Sequence, residues 1–454
     1  MQIVLLSGGS GKRLWPLSNE IRSKAFLKLL DGEGGSKESM IQRITRQLAA
    51  AGMLPSTHIV THATQGEITR SQTGGAVTVL EEPHKRGTFT AIALAAAFFH
   101  SQLKLDRKEV VVALPVDSFI KQPFFQVILD CPAVLARSAA DLVLVGTSPA
   151  GPSNQFGYMV PGPIQEDQGF CRIERFVEKP DAAVAAELIR QGALWNCGVF
   201  AFPLGYMLDF MTAKGLPLDA GDLLRLYGEL PERSFDQEVV EQTANCAAVA
   251  YEGLWDDLGS WDAFTQHLNN KVTGMGQVED SSINTHLVNE LPCPIHVIGV
   301  SNVIVAAGPD GVLVASKQQA SRIKDLLPNN RMPMLEEKRW GVRRTLDYSR
   351  HSQAGESLTS KVTLLAGSNT SYHVHQHRME ICAILSGTGE CLIDGRVMAI
   401  GSGDVLEITA GVKHSIKAIT AMEYIETWLG EQLGGEDCKR IALIWEEAVQ
   451  SSSE

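Results

Sequence analysis

The sequence predicts an α/β chain with a mainly parallel sheet in its first half and an all-β region at its C-terminus. Three observations carry this. Short apolar runs alternate with helix-like stretches from the N-terminus onward, the alternation stops near residue 270, and from Arg339 to Gly430 short strand-like runs are separated by turn signals. With 454 residues the chain is also too long for one ordinary core, so two or three domains are expected.

In order along the chain, Gln2–Leu6 reads as a strand, followed by a glycine loop and a helix around Met40–Ala51. His58–His62 and Ala76–Leu80 are strand-like, Thr88–Leu103 is an alanine-rich helix, and Glu109–Leu114 is a buried strand. Phe124–Ala140 is helical and Asp141–Gly146 is again a strand. This βαβ rhythm over 1–270 predicts helices on both faces of the sheet, with ligands beyond the carboxyl ends of the strands. A small β-rich connecting domain is expected over 271–335, from the short runs His296–Val300, Val303–Ala307 and Val312–Ala315 and a helix over Gln318–Leu327. Pro328–Glu337 reads as a linker, being rich in Pro, Asn and Met. Over 336–454, runs at Val362–Leu365, Ile381–Leu385, Glu390–Ile393, Asp404–Ile408 and Met422–Trp428 suggest a sandwich or barrel.

A composition of 44% hydrophobic and 20% charged residues is that of a globular protein in water. The formal charge of −12 argues against nucleic acid as a partner, so an anionic substrate needs a local cluster of positive groups. The eight cysteines include no CxxC pair, and neither a disulfide framework nor a cysteine zinc site is indicated. With no membrane-spanning run and no signal peptide visible, the expectation is a cytoplasmic protein without membrane contact.

The stretch Leu6-Ser7-Gly8-Gly9-Ser10-Gly11-Lys12-Arg13-Leu14-Trp15-Pro16 follows the first strand directly. It fits neither GxGxxG nor the P-loop pattern. Gly8, Gly9 and Gly11 nevertheless let backbone N–H groups surround an anion, and Lys12 and Arg13 bring charge to the same place. A glycine-rich turn with surface basic residues would leave the same pattern.

That stretch resembles the signature of the nucleotidyltransferases that make NDP-sugars. Its Trp15-Pro16 variant resembles the mannose-1-phosphate guanylyltransferases, of the long type fused to a mannose-6-phosphate isomerase domain. Glu82-Pro83-His84-Lys85-Arg86-Gly87-Thr88, Phe176-Val177-Glu178-Lys179-Pro180, Leu194-Trp195-Asn196-Cys197-Gly198 and Asp257-Leu258-Gly259-Ser260-Trp261 are similar to further motifs of that family, in its order. The resemblance implies a Rossmann-like nucleotidyltransferase domain. Arg13 and Lys24 would act on phosphates, Asp117 and Asp257 would hold Mg²⁺, and Glu82 and Arg86 would face the nucleotide. Gly157, Tyr158, Glu178, Lys179 and Asn196 would lie at the sugar. The reaction implied joins a nucleoside triphosphate to a hexose 1-phosphate, GTP and mannose 1-phosphate in the family. Gly87-Thr88-Phe89-Thr90-Ala91 departs from the family's N-T-A-P-A, which leaves another base or sugar 1-phosphate open. Lys12 in place of threonine and Ser118 in place of histidine are milder departures. A non-catalytic sugar-nucleotide sensor is the remaining alternative, and a homo-oligomer, a dimer, is expected.

Near the C-terminus, His373 and His375 at i, i+2 point to one face of a strand, with Glu380 following after four intervening residues and His414 beyond a hairpin. Three imidazoles and a carboxylate suit Zn²⁺, Fe, Mn or Ni, and the residues alone do not choose. By strand parity His377 is a spare candidate. The set HxHx4E plus a distant histidine resembles a cupin metal site in a β-barrel. The family's H-x-H-R-x-E-H-W is kept over His375–Glu380 and lost at Ile381-Cys382. Arg339-Trp340-Gly341 and Gly434 through Arg440 also resemble family positions. Interconversion of mannose 6-phosphate and fructose 6-phosphate is implied. Such an isomerase needs a metal and a base, and the sequence identifies only the first. An inactive or regulatory cupin domain therefore stays open.

Overall fold

The computed structural model describes residues 1–9, 12–162, 169–327, 333–351, 355–431, 433 and 437–451. Gly11 of the expected phosphate loop, residues 328–332 of the expected linker and the motif glycines Gly434 and Gly435 lie outside the described residues. The chain divides into two compact units. Met1–Leu14 and Ser23–Asn270 form the first, and Trp15–Arg22 and Lys271–Glu454 the second.

The first unit is built on a nine-stranded sheet. Its spatial order is Thr78–Glu82, Thr57–His62, Gln2–Leu6, Val110–Pro115, Leu194–Pro203, Leu142–Thr147, Cys246–Tyr251, Cys171–Val177 and Tyr158–Pro161. Both faces are covered, so strands of nearly continuous apolar residues divide their side chains by period two. Ile3 and Leu5, Val112 and Leu114, and Val143 and Val145 enter one core cluster. Val4, Val111 and Ala113, and Leu142 and Leu144 enter the other. Helices Met40–Ala50 and Pro123–Ser138 supply the first cluster. The alanine-rich helix Gly87–Ser101 and Leu204–Ala213 supply the second.

The sheet is less parallel than the sequence suggests. The first four strands in the order are parallel neighbours, as are Leu142–Thr147 and Cys246–Tyr251. Leu194–Pro203 runs antiparallel to all three of its partners, and the last strands pair antiparallel. The βαβ rhythm ends after Thr147. Tyr158–Pro161 and Cys171–Val177 then form a hairpin, which needs no helical crossover.

In the second unit, residues 271–316 form short parallel rungs closed by a hairpin of Val303–Gly308 and Gly311–Ser316, around Leu287, Val297 and Val305. The expected helix over Gln318–Leu327 is a 3₁₀ turn, Lys317–Arg322, running into Ile323–Leu326. A six-stranded and a five-stranded antiparallel sheet follow. Val362, Cys382 and Ile408 of the first pack with Cys391, Ile400 and Ile416 of the second. Part of the expected linker proves to be strand. Leu335–Lys338 pairs with Gly341–His351, and Glu336 accepts a 2.6 Å hydrogen bond from Arg343.

Trp15–Arg22 takes its partners within this second unit. Asn19 Nδ2 donates to Asp310 Oδ2 and to the Leu335 carbonyl, both at 2.9 Å. Arg22 meets Glu290 through two hydrogen bonds of 2.7 and 3.0 Å and lies 3.4 Å from Glu337. Burial works against the Arg22 charge, but Glu290, Glu337 and Asp310 outweigh it and raise its pKa. Gly311 is required by close approach, since a Cβ there would lie 2.5 Å from the Trp15 ring.

All eight cysteines are unpaired. No helix among the described residues is long and apolar enough to cross a membrane.

Candidate active site and candidate metal centre

The strand Gln2–Leu6 continues into the glycine loop, with Ser7 N donating to the Val60 carbonyl at 2.9 Å. Lys12–Leu14 then makes one 3₁₀ turn, and Arg13 donates to Gln155 Oε1 at 3.4 Å. Asp117 follows the central strand Val110–Pro115. The short pairing of Ser118–Ile120 with Trp255–Asp257 sets Asp257 opposite Ser118, and Leu258 N donates to the Asp117 carbonyl at 3.1 Å. Two aspartates distant in sequence thereby meet at the strand ends.

Lys24 lies between them, paired with Asp117 and 3.7 Å from Asp257 Oδ1. Burial lowers the lysine pKa, but the two carboxylates outweigh it and the net shift is upward. The Asp257 carboxyl is raised by burial, with Lys24 opposing and Asp117 adding to the rise. Two hard carboxylates held on one backbone pairing fit Mg²⁺, which takes one or two carboxylates and lets phosphates complete its shell. The residues present thus match the expected group.

Glu82 is 4% exposed and accepts a 2.5 Å hydrogen bond from Tyr227 Oη. Burial pushes its carboxyl up to about 7, with Tyr227 and Lys85 opposing. Its other oxygen borders the phosphate loop, since a Cβ on Gly8 would lie 3.3 Å from Oε2. Arg86 is committed to backbone, donating to the carbonyls of Tyr227 at 3.3 Å and of Gly228.

The expected sugar residues divide into two kinds. Glu178 and Lys179 pair with each other, and a Cβ on Gly157 would lie 2.6 Å from the Phe176 ring and 2.7 Å from Glu178 Oε2, so a larger residue there would push both side chains aside. Asn196 lies beside a β-bulge in Leu194–Pro203, where the register shifts between Asn196 and Val199. Its Oδ1 accepts from Gly198 N at 2.9 Å and its Nδ2 donates to Asp236 Oδ1 at 2.8 Å. Tyr158 serves differently from what the motif suggests. Its ring is fully buried, and its hydroxyl closes a loop by bonding the Ser153 N–H at 2.9 Å and carbonyl at 3.1 Å.

Asp236 and Tyr227 are the polar residues that sequence reasoning missed. Ser234-Phe235-Asp236 reads as an ordinary helix start, and Ser234 does cap Gln237 N at 3.2 Å. Burial and the Glu178 charge push the Asp236 carboxyl up to about 7, with Lys179 opposing.

In the second unit, His373, His375, Glu380 and His414 converge, with ligand atoms within 4.8 Å of one another. The backbone pairing of His373 with His414, and the strands Tyr372–His375 and Arg378–Ser386, bring them together. His373 Nδ1 faces the Ser371 carbonyl at 2.6 Å and His414 Nδ1 the Val412 carbonyl at 3.1 Å, which turns both Nε2 atoms toward the group, that of His414 lying 3.1 Å from Glu380 Oε2. Burial pushes His373 down to about 3, so its imidazole is neutral at neutral pH. His375 Nε2 lies 2.8 Å from Glu380 Oε1 and 2.9 Å from Arg378 Nη2, while its Nδ1 is buried without a hydrogen bond. One nitrogen cannot both accept from the guanidinium and donate to the carboxylate. A divalent cation on the Nε2 lone pair removes the need for that nitrogen to donate to Glu380, and the guanidinium keeps Glu380 Oε1, 3.2 Å from Arg378 Nε, so the set fits a transition metal. His377 is corrected. The strand ends at His375, parity no longer applies, and His377 is exposed with its N–H on Asp437. Behind the group, the Arg378 guanidinium lies 3.6 Å over Trp428, and burial with the Glu380 charge pushes Glu426 up to about 7.

The family described as Nucleotidyl transferase matches residues 2–273, and the one described as Cupin domain matches residues 360–428. Alginate biosynthesis protein AlgA of Pseudomonas aeruginosa is 27% identical over 96% of this chain and 95% of its own. A mannose-1-phosphate guanylyltransferase of Escherichia coli is 27% identical over 96% of this chain and 98% of its own. Among solved structures, a protein titled mannose-1-phosphate geranyltransferase, from Thermus thermophilus, is similar with a TM-score of 0.59 and 28% identity, over 72% of this chain and 97% of that one.

Proposed function

Because this chain belongs to the nucleotidyl transferase family, we propose that it transfers a guanylyl group from GTP to mannose 1-phosphate, giving GDP-mannose and pyrophosphate. The observation that carries the chemistry is the meeting of Lys24, Asp117 and Asp257 at the strand ends. Relatives named as guanylyltransferases, matched along nearly their whole length, support the choice of substrates.

A phosphate oxygen of the sugar 1-phosphate attacks the α-phosphorus, and the bond to the β-phosphate breaks as pyrophosphate leaves. The monoester is already largely ionised at neutral pH, its second pKa being about 6, so no general base is required. The protein's work is positioning and charge neutralisation. The glycine loop with Lys12 and Arg13 receives the triphosphate, and Lys24 turns its ammonium from the aspartates to the phosphates. Asp117 and Asp257 would hold Mg²⁺, which neutralises phosphate charge when bound. Glu82 offers a buried acceptor beside the loop, and Glu178, Lys179 and Asn196 receive the sugar.

A second activity belongs to the cupin domain, interconversion of mannose 6-phosphate and fructose 6-phosphate. The buried group of three histidines and Glu380 favours it, with Zn²⁺ or a similar divalent ion as cofactor. The names of the alginate and xanthan biosynthesis relatives support a product destined for polysaccharide.

Pyrophosphate release with Mg²⁺, crossing four nucleoside triphosphates against mannose and glucose 1-phosphates, tests the main reading. Turnover with GTP and mannose 1-phosphate is expected, and Asp257→Asn abolishes it. Silence across the panel sinks the proposal.

A further inference from the structure

The proposed sugar site contains a side chain whose orientation is held by a residue with no assigned role. Both ends of the Asn196 amide are engaged. Its oxygen accepts from Gly198 N and its nitrogen donates to Asp236, leaving one N–H of Nδ2 to offer a ligand. An amide alone can rotate by half a turn at little cost. Rotated, the amide would set its oxygen against the ionised Asp236 carboxylate and its NH2 against the Gly198 N–H, so both partners hold the same orientation.

Asp236 is itself held firmly. Phe235 beside it is fully buried and packs on Phe200 and Phe202, with ring centroids 4.8 and 5.7 Å away. Phe235 N donates to Thr88 Oγ1 at 2.8 Å, and Arg233 N donates to the Arg86 carbonyl at 3.0 Å. The Gly87-Thr88 turn, which departs from the family motif, is therefore the platform on which Arg233–Asp236 rests. A Cβ at Gly87 would lie 2.2 Å from the Arg233 carbonyl oxygen, so the glycine is what admits that approach.

We propose that Asp236 is a positioning residue for the hexose 1-phosphate. It fixes Asn196 so that an N–H, and not a carbonyl oxygen, faces a sugar hydroxyl. The inference rests on the proposed reaction and names the group that orients its sugar reader. Asn196 then acts as a hydrogen-bond donor, while Glu178, whose carboxylate closes on Gly157, acts as an acceptor. A hexose hydroxyl can satisfy both at once, because it donates and accepts.

The experiment measures KM for mannose 1-phosphate and for GTP, kcat and Tm, in wild type, Asp236→Asn and the swap Asn196→Asp with Asp236→Asn. Asp236→Asn removes one of the two restraints on the Asn196 amide, so KM for the sugar phosphate is expected to rise about tenfold while KM for GTP holds. The swap rebuilds the hydrogen bond with reversed polarity. It restores Tm but shows the sugar an acceptor, so the sugar KM stays high. If the swap restores the sugar KM along with Tm, Asp236 is a brace only and the inference falls. If Asp236→Asn leaves both KM values unchanged, it falls as well, with the proposed reaction intact. A wild type that turns over no nucleotide and hexose 1-phosphate overturns both.

Discussion

Glu82 is a carboxyl group whose proton is set by its surroundings. Its folded pKa of about 7 stands above the ordinary 4.5, and Asp236 shows the same sign, about 7 against 3.8. Between those limits the folded chain keeps protons that the unfolded chain has released. Stability from these groups is therefore highest at acid pH, falls as pH rises toward 7, and is level above. Replacing Glu82 by Gln is expected to flatten the fall in Tm between about pH 4.5 and 7, and a Tm-against-pH series checks it. Glu82 was legible because it sits in a motif. Asp236 was not, because a Ser-x-Asp helix start is common and its partner, Asn196, is forty residues away.

At the scale of elements, spacing along the chain revealed the histidine group because two ligands share a strand and one follows a turn. Loading the purified protein with Zn²⁺ is expected to raise Tm, since binding to the folded state adds about 2.7 kcal/mol at a hundredfold excess over Kd. His414→Ala removes most of that gain, as differential scanning calorimetry would show. His377 was misread because parity holds only while a strand lasts. The antiparallel Leu194–Pro203 was missed for a related reason, since an apolar run does not reveal its direction. Gly87 belongs at this scale too. With φ at +85° and the Arg233 carbonyl against it, Gly87→Ala is expected to cost at least ~1–3 kcal/mol, read from denaturant unfolding.

At the scale of the whole molecule, hydrophobic rhythm announced the change of architecture near residue 270, yet nothing local to Trp15–Arg22 announces that it belongs to the later unit. Its partners, Glu290, Asp310 and Glu337, are read only after folding. Arg22→Ala leaves those partly buried carboxylates unbalanced and is expected to cost about 3 kcal/mol. It should also lower kcat for pyrophosphate release, because the segment joins Arg13 to Lys24. Measuring Tm and kcat on the same preparation checks both. The order in which a ribosome makes the chain gives this arrangement a further consequence. The first 270 residues emerge early, and domains generally fold N-terminal first during synthesis. Arg22 nevertheless completes its set of carboxylates, Glu290, Asp310 and Glu337, only once Glu337 has left the exit tunnel. A nascent or prematurely terminated chain would thus carry the Trp15–Arg22 segment without the Leu335 and Glu337 partners it has in the finished fold.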